Sequence, residues 1–269
     1  MPTPTVVQVV VDKPLAQGFD YLWDQQNLGQ EPMIGQVVEI PFGRSSLIGV
    51  VIKVSGHSDF DINKLKQVKA VAPLPPLDSA ALRLMNFASQ YYIHGLGETI
   101  VPTIPQMWKK PEDWEKIPKK LIAAEKKKEK KDREIKSEGL ITESQLNSEQ
   151  QSALNALRND AGEKKFRAIL LQGQTGSGKT AVFLSWLSSI LQDEKAQVLI
   201  LVPEINLTPQ LERRVRAYFP NKNMAVLHSA IAENQRGIAW YEAMIGKAQI
   251  ILGTRLAALT PMPNLKAIV

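Results

Sequence analysis

An α/β protein, with a doubly wound parallel sheet in its C-terminal part and a small mainly-β domain before it, is the fold class this sequence predicts. Three observations predict it. From Leu146 to Val269 short apolar runs without alternation (FRAILLQ, QVLILVP, MAVLHS, AQIILGT and LKAIV) are separated by amphipathic stretches. That is the pattern of buried parallel strands joined by helices. From Thr5 to Pro105 short β-type runs are punctuated by Gly, Pro, Asp and Ser, as in a small twisted sheet or barrel. Between the two regions, residues 106–140 are dominated by charge.

In chain order, TVVQVVV, GQVVEIPFG, LIGVVIKV and LKQVKAV are the expected strands of the first region. One helix interrupts, with Asp78 as N-cap and Leu82, Met85, Ala88 and Tyr92 as its apolar face. KKPEDWEKIPKKLIAAEKKKEKKDREIK follows, with about two charged residues in three. Such a segment is a solvated helix after Pro118 or an unstructured stretch, and it has too few apolar residues to bury a core; it is expected to be a linker. In the last region the helices fall at Thr180–Leu191, Pro209–Phe219 and Glu233–Ile245, with Thr208 as N-cap and Pro209 at the first helical position of the second. The expected division is therefore 1–105, a linker over 106–140, and 141–269.

Composition excludes several classes. With 44% apolar residues the chain is globular in type, and no run reaches the roughly 18 apolar residues a bilayer span needs. The start, MPTPTVVQVVVDK, has no basic segment leading into an apolar core, so the cytoplasm is expected and no membrane partner. There is no cysteine, and His57, His94 and His228 are too scattered to suggest a metal site. The net charge of +6 is concentrated, since Lys109–Lys136 holds 12 basic and 7 acidic residues. A lysine-rich linker explains the high pI as well as a nucleic-acid surface does.

The sharpest motif is LQGQTGSGKTAVF. Gly173, Gln174, Thr175, Gly176, Ser177, Gly178, Lys179 and Thr180 satisfy G-x-x-x-x-G-K-T between an expected strand and an expected helix. Glycines let successive backbone N–H groups turn towards phosphate oxygens. The lysine reaches the β and γ phosphates, Thr180 ligates Mg²⁺, and the helix that follows points its positive end at the anion. ATP with Mg²⁺ is the expected cofactor.

Other stretches narrow the task. In LNSEQQSAL, Gln150 either reads the adenine edge with its amide or closes a capping box with Asn147. VPEINLTPQ, with Glu204 and Thr208, and GTR, with Arg255, follow strands at the edge of the sheet where ligands collect. A backbone N–H, a hydroxyl and a guanidinium there suit strand phosphates. His228, after another strand, is expected to be a satisfied turn residue.

The ordered set LNSEQ, GQTGSGKT, LVPEINLTPQ, LHS and GTR resembles the first half of a superfamily 2 DNA helicase. With GFDYLW, PFGR and QYYIHGLGE it resembles the primosomal protein N′ (PriA) replication restart helicase family over essentially everything except the charged linker. The resemblance implies a RecA-like P-loop helicase lobe preceded by an OB-like DNA-binding domain that captures the 3′ end of the nascent leading strand at a stalled fork. Phe19, Asp20, Gly43 and Lys66 match that domain's pocket. Phe19 would stack on the terminal base, Asp20 accept from the 3′-OH or base edge, Gly43 permit close approach and Lys66 meet a phosphate. Without the resemblance, Phe19 would be read as core packing. Gln150 would read adenine; Gly178, Lys179 and Thr180 would hold the triphosphate and Mg²⁺; and Glu204, Thr208, His228 and Arg255 would couple the lobe to DNA. Forked and single-stranded DNA, other primosome proteins and a single-stranded-DNA-binding protein are the partners implied.

Two departures qualify this. The family carries a winged-helix domain where only the charged segment stands here. Its acidic Asp-Glu-Glu-His motif follows the strand corresponding to LKAIV and lies beyond these residues, as do its cysteine-rich zinc module and second lobe. An arginine finger alone is worth about 10³ to 10⁵ in rate. The expectation is that these 269 residues, as a truncated chain, bind ATP weakly and hydrolyse it negligibly, with no catalytic residue present. Two alternatives are a non-enzymatic 3′-end binding module with a vestigial P-loop lobe and a P-loop kinase.

Overall fold

The computed structural model describes residues 4–15, 17–126, 146–159, 166–203 and 208–269. Its elements begin with β1 (Thr5–Val11), β2 (Phe19–Trp23), α1 (Gln25–Leu28), β3 (Val37–Phe42), β4 (Ser45–Ser55) and β5 (Ala70–Val71). Next come α2 (Ser79–Tyr91), α3 (Leu96–Ile100) and a helical stretch over residues 117–126, α4. The later part holds α5 (Ser148–Asn159), α6 (Lys179–Ile190), β6 (Gln197–Leu201), α7 (Thr208–Tyr218), β7 (Met224–Leu227), α8 (Glu233–Met244), β8 (Ile250–Gly253) and β9 (Leu265–Ile268). They form two compact units. One gathers the chain up to Ala124 with Ile231–Ile245 and Leu259–Pro263; the other takes Glu125–Ala230, Gly246–Ala258 and Asn264–Val269.

The first unit is built on a five-stranded antiparallel sheet in the order β2-β1-β4-β3-β5. Valine repeats give β1 its extended preference, and Val7, Val9 and Val11 point inward with Tyr21, Trp23, Val38, Ile40, Val51 and Val68. The sheet closes on itself. Leu22 donates its N–H to the Lys66 carbonyl at 2.9 Å, and Val68 donates to the Leu22 carbonyl at 3.0 Å, just before the chain enters β5. A small mainly-β, OB-like domain is what the sequence predicted.

Helix α2 starts as expected, with Asp78 Oδ1 accepting from the N–H groups of Ala80 and Ala81, both at 2.8 Å. Its buried face is Ala81, Met85 and Ser89. The expected stripe was right at Met85 but one position off elsewhere, so Tyr92 faces solvent and Phe87 and Tyr91 line the outer face.

The charged segment also departs from expectation at its start. Trp108, Trp114 and Ile117 are buried. The Trp108 ring lies 5.2 Å from that of Tyr241 on α8, and its indole N–H donates to the Gly237 carbonyl at 3.3 Å. Trp114 donates to the Trp108 carbonyl at 3.0 Å, and the Gln106 N–H donates to Glu233 at 2.8 Å. Burial lowers the Lys109 pKa, against the opposing pull of Asp12 and Glu233. Charge averaged over the segment concealed a few large apolar anchors, each able to bury on the order of 200 Å².

The second unit is a four-stranded parallel sheet in the order β7-β8-β6-β9. Its core joins Val198, Ile200, Ile250 and Leu252 to Leu184, Leu187 and Leu191 of α6 and Val215 of α7. Four of the five predicted strands are present. The fifth, FRAILLQ, is not a strand: residues 166–174 have no regular structure, and Phe166, Ile169 and Leu170 are exposed. An apolar run becomes a strand only beside a free strand edge, and no described strand pairs with this one. Helix α5 packs on α6 through Leu154, Leu157 and Val182.

Candidate functional site

Two sites emerge, one in each unit. In the second, the loop before α6 turns on Gly176 and Gly178, with φ of 85° and 83°, values that an L side chain adopts only under strain. Gly178 is the N-cap of α6 and makes no side-chain cap bond. The Ala181 and Val182 N–H groups donate to the Gly178 carbonyl at 2.9 and 3.3 Å, so the N–H groups of Lys179 and Thr180 are the ones placed to meet an anion, which the helix dipole also favours. The Lys179 ammonium curls back to donate to the carbonyls of Gly173 and Gln174 at 2.6 and 2.9 Å. Thr180 follows in the first turn, half-buried. These residues fit a triphosphate with Mg²⁺, provided the lysine exchanges carbonyl for phosphate oxygens.

Gln150 makes the capping box. Its N–H donates to Asn147 Oδ1 at 2.8 Å, and its Oε1 accepts from the Asn147 N–H at 3.0 Å. Its Nε2 donates to the Ser177 carbonyl at 3.0 Å. Both halves of the amide are therefore engaged, and α5 is tied to the phosphate loop. A Cβ on Gly178 would collide with this amide.

At the carboxyl edge of the sheet, Gly253 ends β8 and Thr254 donates its N–H to the Leu227 carbonyl at 3.1 Å. Arg255 is exposed at the start of a short 3-10 turn, Arg255–Leu259. His228, expected to be satisfied, has a buried Nδ1 with no hydrogen-bond partner among the described residues. Glu204 lies outside the described residues, as does the side chain of Thr208.

In the first unit three of the four sequence-chosen residues, Phe19, Gly43 and Lys66, lie around the start of β2 and the β3–β4 turn. The Phe19 ring meets Phe42 edge to face, with centroids 5.4 Å apart. It is half-buried and leans on the barrel core. Gly43 makes the turn at φ 58° with open space around it. Lys66 donates to the Gly43 carbonyl at 3.4 Å. Alternation along β2 puts Asp20 on the opposite face from Phe19, where Oδ2 accepts from Ser58 at 2.6 Å and Oδ1 from Gln8 at 3.4 Å. Sequence reading missed Ser58, Gln8 and Phe42. Phe42 stood beside Gly43 in PFGR, whereas the role of Ser58 depends on a contact 38 residues away. Among the described residues no group of three or more His, Cys, Asp or Glu could hold a metal ion, and no helix is long and apolar enough to cross a membrane.

A small closed β unit and, after it, a phosphate loop opening a helix beside a parallel sheet define a two-part chain whose second part is of the P-loop α/β class. Comparison with known families gives the same pairing. Residues 8–105 match the 3′ DNA-binding domain (3′BD) family, and residues 147–267 match the DEAD/DEAH box helicase family. The replication restart protein PriA of Haemophilus influenzae is 30% identical over 331 aligned positions, covering 98% of this chain and 43% of that protein. PriA of Treponema pallidum is 28% identical, covering 98% of this chain and 37% of its own. PriA of Synechocystis is 46% identical over 104 residues, 39% of this chain. The chain belongs to the PriA replication restart family and corresponds to its N-terminal portion. It spans about two fifths of the length of the Haemophilus and Treponema relatives.

Proposed function

We propose that this chain captures the 3′ end of a DNA strand at a stalled replication fork and joins that capture to an ATP-binding helicase lobe. The observation that carries the reading is the tandem order on one chain, a 3′ DNA-binding match followed by a helicase match. Phe19 stacks beside the terminal base, Asp20 accepts from the sugar hydroxyl or base edge, the Gly43 turn lets the strand approach, and Lys66 neutralises a phosphate. Arg255, Thr208, Glu204 and His228 couple the lobe to DNA. Unwinding in the 3′-to-5′ direction, the other primosome proteins, a single-stranded-DNA-binding protein and a cytoplasmic setting belong to the same proposal. The Haemophilus alignment is longer than this chain, so that relative carries residues inside the aligned region without counterpart here.

These residues hold ATP weakly and turn it over negligibly. Thr180 is the one metal ligand assigned, and Lys179 is already engaged by its own loop. The same observation favours a second reading, a 3′-end binder that needs no hydrolysis. Binding to forks with a free and with a blocked 3′-OH tests the capture. A preference for the free end that Asp20→Ala abolishes is expected; a preference untouched by that change removes the assigned pocket. Robust DNA-stimulated phosphate release by these 269 residues would overturn the weak-hydrolysis assignment.

A further inference from the structure

The outer face of α2 is unexplained by either site. Phe87 and Tyr91 stand one helical turn apart, 60% and 68% exposed, with ring centroids 5.6 Å apart and planes 28° from parallel. Tyr92, 73% exposed, meets Tyr91 edge-on at 5.0 Å. Arg83 precedes Phe87 by one turn on the same face.

The helix end adds an independent observation. The His94 N–H donates to the Ser89 carbonyl at 2.9 Å, and the Ile93 N–H to the Gln90 carbonyl at 3.3 Å. This is a Schellman cap, whose left-handed position is normally glycine. Here it is Ile93 at φ 53°, a β-branched residue in a conformation that costs roughly 1–2 kcal/mol. Its side chain is 94% exposed, so packing does not repay the strain. Exposed strain of this kind points to a surface kept for a ligand.

Charge indicates which ligand. The chain through Pro105 has seven Lys and Arg against nine Asp and Glu, yet no carboxylate occurs from Ser79 to Gly97. A cation followed by two near-parallel rings, on an acid-free face, is what a flexible polyanion with flat bases requires.

We propose that Arg83, Phe87 and Tyr91, flanked by Tyr92 and Ile93, form a stacking platform for bases of single-stranded DNA, separate from the residues assigned to the strand end. The inference rests on the DNA-binding reading above. The platform extends that reading from one terminal nucleotide to a length of strand: rings take bases without regard to sequence, and Arg83 takes a phosphate.

The test uses the whole 269-residue chain and 5′-labelled single strands of about 4 and about 16 nucleotides with free 3′-OH ends, the span of site sizes for one OB-type fold. The wild type binds the longer strand more tightly. Phe87→Ala with Tyr91→Ala lowers that affinity roughly 5- to 100-fold and leaves the short-strand affinity and its dependence on the free 3′-OH unchanged. Quenching of a 2-aminopurine placed within the long strand disappears in the same variant. Both side chains are exposed, so an unchanged melting curve accompanies the loss. If long-strand affinity survives while the end preference persists, the platform is wrong and the end-capture reading stands. Loss of self-association or of a protein contact, with DNA affinity intact, also overturns it in favour of a protein surface. If the wild type binds neither strand, both readings fall.

Discussion

At residue scale the sequence disclosed identities more readily than partners. Phe19, Asp20, Gly43 and Lys66 were singled out from the sequence; the fold brings Phe19 to Phe42 and Lys66 to Gly43, and turns Asp20 to the other face of β2. The hydroxyl that holds Asp20 was not legible, because a loop serine such as Ser58 carries no pattern until the chain has folded. Ile93 was equally silent: positive φ leaves no trace in periodicity. Ile93→Gly is expected to raise stability by about 1 kcal/mol, seen as a higher urea midpoint with an unchanged slope. Tyr21 gives a pH prediction. Burial pushes its hydroxyl above the ordinary 10.0, and it donates to the Pro41 carbonyl at 3.1 Å. Above pH 10 the unfolded chain loses this proton first, so the stabilisation is complete below pH 10 and fades as pH climbs through the raised value. The stability gap between the wild type and Tyr21→Phe should narrow over that range in denaturant titrations.

At the scale of elements, the comparison of QVLILVP with FRAILLQ is instructive. The two runs are equally apolar, but β6 has β8 on one side and β9 on the other, while residues 166–172 have no ladder among the described residues. Apolar content states a need for burial and is silent on who satisfies it. The capping box between Asn147 and Gln150 was open to either of two readings from local pattern, and its extra bond to Ser177 spans 27 residues. Removing it should act on α5 and the loop together. Gln150→Ala is expected to cost about 1 kcal/mol and to weaken binding of an ATP analogue, both measurable by calorimetry. Gly178→Ala should weaken nucleotide binding further, since it strains the loop and displaces the same amide.

For the whole molecule, the division at residues 106–140 was the least legible feature, because charge density averaged away Met107, Trp108, Trp114 and Ile117. Met107 and Trp108 dock the start of that segment onto α8, more than a hundred residues later. Trp108→Ala should cost roughly 3–5 kcal/mol and open 105–117 to limited proteolysis. Gly237→Ala should have a milder effect of the same kind, since its new methyl would press on Met107. The tandem order of a β unit and a parallel sheet, by contrast, was written plainly in the passage from short β-type runs broken by Gly, Pro, Asp and Ser to apolar runs joined by amphipathic stretches.

The seam at Leu22 and Gln67 has a consequence for how any visitor is received. With Leu22 paired to the chain before β5, the outer edge of β2 is interrupted at its middle, where a foreign peptide would have to zip. Recognition at that end falls to side chains and the hairpin tip, which suits a guest that brings rings and phosphates and has no peptide backbone to offer.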